Sequence, residues 1–306
     1  MQKFEHPNIC ADGADRASVP LKHLEILWIN TGTLCNIACA NCYIESTPIN
    51  DRLSYITRDE VARSITGLAH HGVSPASFGI TGGEPFMNPY ILEILHDLLG
   101  KGGKVLLLSN AMKPLQRPHI MAGLKALSDA QKEGLTIRVS LDDATPNLHD
   151  KERGAGSFAM SCSGIEWLLH HGFQTTIAGR LWNRDERLVR ENYAALFAEK
   201  NWSIDARHRE SLMLFPEMEE ETDPPEITTA CWGILNKSPN DIMCSNSRML
   251  VKRAGAKGPS LVACTLLPYD ERFDLGEEMG KADQAISLQH PWCASFCVLG
   301  GGACSA

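Results

Sequence analysis

No run of apolar residues in this 306-residue chain approaches the roughly 18 needed to cross a bilayer. The amino terminus, MQKFEHPNICADGADRAS, is too polar for a secretory signal. Both absences point to a cytoplasmic protein without a membrane partner. Basic residues are in the minority: 29 Lys and Arg face 37 Asp and Glu, a net charge of −8. No block of them follows an apolar or aromatic pattern, which argues against a nucleic-acid partner. Cysteine, by contrast, is plentiful, with eleven in the chain. In a reducing compartment these stay thiols and do not build a disulfide framework, so metal binding or catalysis is the better explanation.

The chain is 43% hydrophobic and 22% charged, ordinary globular usage, and long enough for one large domain and a smaller one. A weak repeat runs through its first two thirds. GLAHHGVSPASFGITG, LLGKGGKVLLLSN, AQKEGLTIRVSLD and WLLHHGFQTTIAGR each read as a helix end, a glycine and an apolar strand. Gly72, Gly103, Gly134 and Gly172 are expected in the left-handed conformation that ends a helix. With HLEILWIN at 23–30 and WSIDARH at 202–208, six strands alternate with helices, one of which is expected over 157–171. Near-continuous apolar strands of this kind belong to a parallel sheet covered on both faces. The expected fold is α/β, a partial (β/α)6 TIM-like barrel. The pairs at 70–71 and 170–171, all histidine, fall in last helical turns and read as caps, not ligands. After the acidic crossing LFPEMEEETDPPE the repeat stops, RMLVKR and PSLVACTLL read as a β-hairpin, and six of the cysteines follow. The expected division is an extension at 1–21, the barrel at 22–215 and a small cysteine-rich domain at 216–306.

TLCNIACANCY, residues 33–43, carries Cys35, Cys39 and Cys42 at C-x3-C-x2-C spacing. Three thiolates on one loop can each take one iron of a cubane and leave the fourth iron open; the alternative is part of a zinc site completed elsewhere. The loop follows the first strand, so it falls on the carboxyl-end rim where such barrels keep their chemistry. ITGGEP (80–85) follows the second strand, where Gly82 and Gly83 expose backbone groups and Glu84 offers a carboxylate for an ammonium, although the triplet also suits a plain turn. LLLSNAM, with Ser109 and Asn110, follows the third strand, and VSLDDATPNLHDKERGAGSF the fourth.

In these four segments the chain resembles the radical S-adenosylmethionine (SAM) enzymes. CNIACANCY is similar to their cysteine loop, TGGEP to their GGE motif, LSNA to their third-strand segment, and SLDDATPNLHDKERGAGSF to a segment of the peptide- and cofactor-maturing branch. The resemblance, over about residues 22–200, implies that Cys35, Cys39 and Cys42 hold a [4Fe-4S] cluster whose open iron binds SAM. It places Gly82, Gly83 and Glu84 at the SAM amino group, Ser109 or Asn110 on the ribose side, and Ser140 and Arg153 at the carboxylate. Asp143 and Ala111 replace glycines of the family pattern. Reductive cleavage of SAM to a hydrogen-abstracting 5′-deoxyadenosyl radical follows, with an electron donor such as flavodoxin or ferredoxin.

The segments 244–264 and 293–304 resemble the auxiliary-cluster modules called SPASM and twitch. This implies that Cys244, Cys264 and Cys293, with Cys297 or Cys304, hold one auxiliary [4Fe-4S] cluster; structural zinc is the alternative. With Cys231 included, six thiols could serve one cluster with spares or two incomplete ones; Cys10 matches no motif, and Cys162 reads as a buried small residue. Arg180, Arg207, His208 and Arg209 are expected near the ends of strands five and six, as substrate contacts or outer ion pairs. Barely 20 residues precede the first strand, so no separate peptide-recognition domain is expected there. The substrate expected is a small molecule or short peptide. The alternatives are a ribosomal-peptide maturase and, from another class, a non-catalytic metal-binding or electron-carrier protein.

Overall fold

The computed structural model describes residues 2–100, 102–216 and 223–302. Its centre is a run of six parallel strands: β1 (Ile26–Asn30), β2 (Ser77–Thr81), β3 (Val105–Ser109), β4 (Leu135–Ser140), β5 (Gln174–Arg180) and β6 (Leu212–Phe215). Each pairs with its predecessor, and the helices lie between them in sequence. These are α1 (Arg58–His70), α2 (Ile91–Gly100), α3 (Pro118–Lys125), α4 (Asp129–Glu133), α5 (Pro146–Arg153), α6 (Ser157–His170) and α7 (Glu186–Glu199). Along β3 and β5 buried and half-buried residues alternate, the signature of one face under helices and the other facing a partly open interior. Local chemistry starts and stops the helices. Thr57 and Glu60 form a reciprocal capping box at the start of α1, and Gly72, at φ +77°, follows its last turn. His71 and His171 are the residues that close α1 and α6, and His171 stacks on Trp167 at 4.4 Å.

Three expectations change. The sixth strand is Leu212–Phe215, not 202–208. That earlier stretch is a turn, held where Asp205 Oδ1 accepts from the Arg207 amide at 2.9 Å. The left-handed residue after α2 is Gly102, not Gly103, and Gly134 closes α4 at φ −78°. Gly103 and Gly134 are needed for space instead: a Cβ would stand 2.5 Å from Leu98 O in the first case and 2.9 Å from Gly103 O in the second.

The expected hairpin exists as β7 (Ser247–Val251) and β8 (Ser260–Val262), but it is no appendage. β7 pairs in parallel with β1, and β8 continues to β9 (Asp274–Gly276), so one nine-stranded sheet runs β9-β8-β7-β1-β2-β3-β4-β5-β6. Met249, Val251 and Val262 from the hairpin pack with Ile26, Trp28 and Leu53 in one buried cluster. The amino-terminal extension is woven in as well. Ser18–Val19 pairs with Ile286–Ser287, and buried Arg16 forms an ion pair with Glu226. Residues 217–222 of the acidic crossing lie outside the described residues. Among the described residues, no helix is long and apolar enough to cross a membrane.

Candidate iron–sulfur and SAM site

The loops after β1, β2, β3 and β4 share one rim, and short backbone bonds lock them together. The Gly83 amide donates to Gly32 O at 2.8 Å and the Glu84 amide to Leu34 O at 3.2 Å, so the GGE segment lies directly on the cysteine loop. A Cβ on Gly83 would stand 2.3 Å from Leu34 O, and Gly82 adopts φ +143°. Glycine is therefore demanded here by the approach of two backbones. The Glu84 side chain is 1% exposed. Its Oε1 accepts from Ser109 Oγ at 2.9 Å and from the Phe86 amide at 3.2 Å, and its Oε2 accepts from the Asn110 amide at 2.8 Å. Burial pushes its carboxyl up to about 7, against the pull of those three donors. Asn110 closes the circuit, donating through Nδ2 to Asn36 Oδ1 at 2.9 Å and approaching Cys35 Sγ at 3.9 Å. Ala111, where the family pattern has glycine, sits at φ +55°, which accounts for that preference.

The segment after β4 is scaffolding with a charged core. His149 Nδ1 accepts from the Asp142 amide at 3.1 Å. Asp150 caps α6, accepting from the Gly156 and Phe158 amides and Ser157 Oγ at 2.7–2.9 Å. The HD and GSF elements of the segment are thus two ends of one cap. Arg153 donates through Nε and Nη2 to both oxygens of Asp142, at 2.6 and 3.0 Å. Burial pushes the Asp142 carboxyl up, but the Arg153 and Arg180 cations hold it below the usual range. A SAM carboxylate would share a guanidinium that already grips Asp142. Ser140, half-buried, ends β4, and Asp143 holds the turn before α5 by accepting from the Thr145 amide at 2.8 Å. Arg180 ends β5 on the same rim. Arg207, His208 and Arg209 do not reach it: they are exposed in the turn that enters β6, at the opposite end of the strand. The contacts of Glu152 with the cysteine loop had no expectation in the sequence, although HDKERG contains the residue.

Cys35, Cys39 and Cys42 lie within one another's electrostatic reach. Cys35 is buried, which pushes its thiol up to about 12, with the Ile37 amide opposing. The Ser46 amide points at Cys42 Sγ at 3.3 Å. Among the described residues, no three His, Cys, Asp or Glu side chains converge on a point as a single ion requires. A cubane asks instead for thiolates on separate irons, and amide donors aimed at the sulfurs suit its inorganic charge. The residues present fit that group. In the carboxyl-terminal region Cys293 lies within reach of Cys264 and Cys244, and burial pushes the Cys244 thiol up to about 11. Cys297 stands on the same single helical element as Cys293, while Cys304 lies outside the described residues. Cys231 keeps within reach of Cys10, and Cys162 is buried.

Residues 29–187 match the family model described as Radical SAM superfamily. The chain is 34% identical over 145 residues to the antilisterial bacteriocin subtilosin biosynthesis protein AlbA of Bacillus subtilis (strain 168), a match covering 47% of this chain and 30% of that protein. The chain thus spans about a third of the length of that curated relative. Its fold is similar to the crystal structure of Streptococcus suis SuiB bound to S-adenosylmethionine, with TM-score 0.61 and 13% identity over 85% of this chain and 66% of the other. It is also similar to native anSMEcpe with bound AdoMet and Kp18Cys peptide, with TM-score 0.55 and 17% identity over 85% and 80% of the two chains. The chain belongs to the radical SAM superfamily, whose members use a [4Fe-4S] cluster and S-adenosylmethionine.

Proposed function

We propose that this chain is a cytoplasmic radical SAM enzyme acting on a peptide or peptide-like substrate. The observation that carries the reading is the convergence of the cysteine loop, the GGE segment and Asn110 through bonds of 2.8–3.2 Å on one rim. Cys35, Cys39 and Cys42 would hold the cluster. When bound, the cluster and SAM supply one-electron cleavage of SAM and the hydrogen abstraction that follows. The protein's part is to bind, orient and shield. Gly82, Gly83 and Glu84 would meet the SAM amino group, Glu84 also holding Ser109 and Asn110 on the ribose side, and Ser140 and Arg153 would face the carboxylate. The peptide assignment is supported by AlbA, by name a bacteriocin biosynthesis protein, and by the peptide in the anSMEcpe structure. Cys244, Cys264 and Cys293, with Cys297 or Cys304, would hold one auxiliary [4Fe-4S] cluster that accepts an electron or binds substrate. Residues 22–215 and 216–306 then divide the work between SAM and the auxiliary cluster, with flavodoxin or ferredoxin as donor.

Anaerobic reconstitution, reduction and addition of SAM tests the reading. The expected outcome is 5′-deoxyadenosine, with about eight irons per chain falling to about four when Cys35, Cys39 and Cys42 become Ala. Intact clusters without 5′-deoxyadenosine would identify an electron carrier instead, and zinc in the triple variant would remove the auxiliary cluster.

A further inference from the structure

The two residues between Cys39 and Cys42 are held from outside the loop, by a carboxylate that no motif explains. Glu152 is 4% exposed and sits at the end of α5. Its Oε1 accepts from the Asn41 amide at 2.8 Å, its Oε2 from Asn41 Nδ2 at 2.9 Å, and its own carbonyl from the Ala40 amide at 3.0 Å. From β5, Arg180 Nη2 donates to Asn41 O at 3.0 Å and lies 3.5 Å from Glu152 Oε1. Asn41 is thus fixed at its amide, its carbonyl and its side chain, although it is itself exposed. An ion pair of buried Glu152 and half-buried Arg180 closes on a single exposed residue.

We propose that Glu152, with Arg180 as counter-ion, is a positioning residue for the cysteine loop. It fixes the spacing of the Cys39 and Cys42 thiolates and sets the charge behind them. The inference rests on those cysteines being cluster ligands. Two physical consequences separate. The clamp is geometric: without it residues 40–41 are free to swing, and two thiolates move with them. The charge is electrostatic: a carboxylate in a poorly solvated setting opposes addition of an electron nearby, so its removal makes reduction easier.

The test uses the full chain, reconstituted anaerobically, as wild type, Glu152→Ala, Glu152→Gln and Glu152→Asp, beside the triple cysteine variant. In wild type the reduced cluster's electron paramagnetic resonance signal changes on adding SAM, and the triple variant lacks that signal. Failure of this first arm removes the ligand assignment and this proposal with it, whatever Glu152 does. Given a SAM-responsive signal, Glu152→Ala is expected to lose that cluster to a chelator about tenfold faster than wild type, while the auxiliary cluster bleaches at the wild-type rate. Glu152→Gln keeps the shape and one acceptor, so it is expected to retain the cluster with a more positive midpoint potential. Glu152→Asp restores the wild-type potential but not the full chelator resistance. Equal chelation rates in wild type and Glu152→Ala, or an unmoved potential in Glu152→Gln, would overturn the proposal. Faster bleaching of both clusters in Glu152→Ala would do the same, since it marks general loosening of the fold.

Discussion

His149 is wholly buried and accepts a hydrogen bond through Nδ1, which assigns its proton to Nε2 and keeps the ring neutral. Burial, aided by the Arg153 cation, lowers its pKa from the ordinary 6.5 to about 4. The unfolded chain takes up this proton near 6.5 and the folded chain only near 4. Stability from this group is therefore complete above 6.5 and drains away as pH falls towards 4. At about 1.4 kcal/mol per pH unit the whole loss is about 3 kcal/mol. Asp142, held below its ordinary 3.8, acts only at lower pH. Glu84, raised to about 7, takes up its proton first in the folded chain and so adds stability over the same range, which makes the difference between proteins the quantity to read. In urea unfolding of the iron-free chain at pH 7, 6 and 5, wild type should lose stability relative to His149→Gln as pH falls; the same pH dependence in both proteins would clear His149 of responsibility. At this scale the sequence is uneven in what it reveals. Spacing brings out the cysteines, GGE and Asn110, because short-range pattern is what a motif is. The work of His149, Asp150 and Glu152 stays hidden, because each acts on backbone that sequence alone cannot bring near.

Among the elements, the cysteine loop and the GGE turn have one surface between them, and Gly83 is where they touch. Gly83→Ala would drive a methyl against Leu34 O and Thr33 O, backbone atoms 2.3 and 2.7 Å from the Cβ position. Neither atom can rotate away, so the loops must separate and give up the bonds at Gly83 and Glu84. A loss of about 2 kcal/mol or more in unfolding free energy is expected, together with at least tenfold weaker SAM binding in an equilibrium titration. Retention of both would mean that the loops slide past one another freely. The strands were readable wherever an apolar run met a preceding helix end, as for β2 to β5. WSIDARH misleads because Trp202, Ile204 and Ala206 alternate with Ser203 and Asp205, which mimics a strand, whereas Asp205 and the exposed Arg207 and His208 make a turn. The hairpin was legible too, but its partner was not: nothing in RMLVKR says that its neighbour lies some 220 positions earlier.

For the whole molecule, that pairing joins both cysteine sites through one sheet. Lys252 after β7 reaches Glu60 on α1 at 2.6 Å, a second tie between the halves. A chain ending at Phe215 would strip β1 of one partner and uncover Ile26, Trp28 and Leu53. It is expected to aggregate, since a bare parallel edge beside apolar side chains invites pairing with other chains. A soluble, monomeric 1–215 fragment with cooperative unfolding would show that the two segments fold independently.

The same connection fixes an order of assembly. β1 is made early, yet its second neighbour, Ser247–Val251, leaves the ribosome only after more than two hundred further residues. Until then the strand that launches the cysteine loop is flanked on one side alone. Iron and sulfide delivered before β7 has paired with β1 would meet a seat still under construction, so loading is expected to follow that pairing.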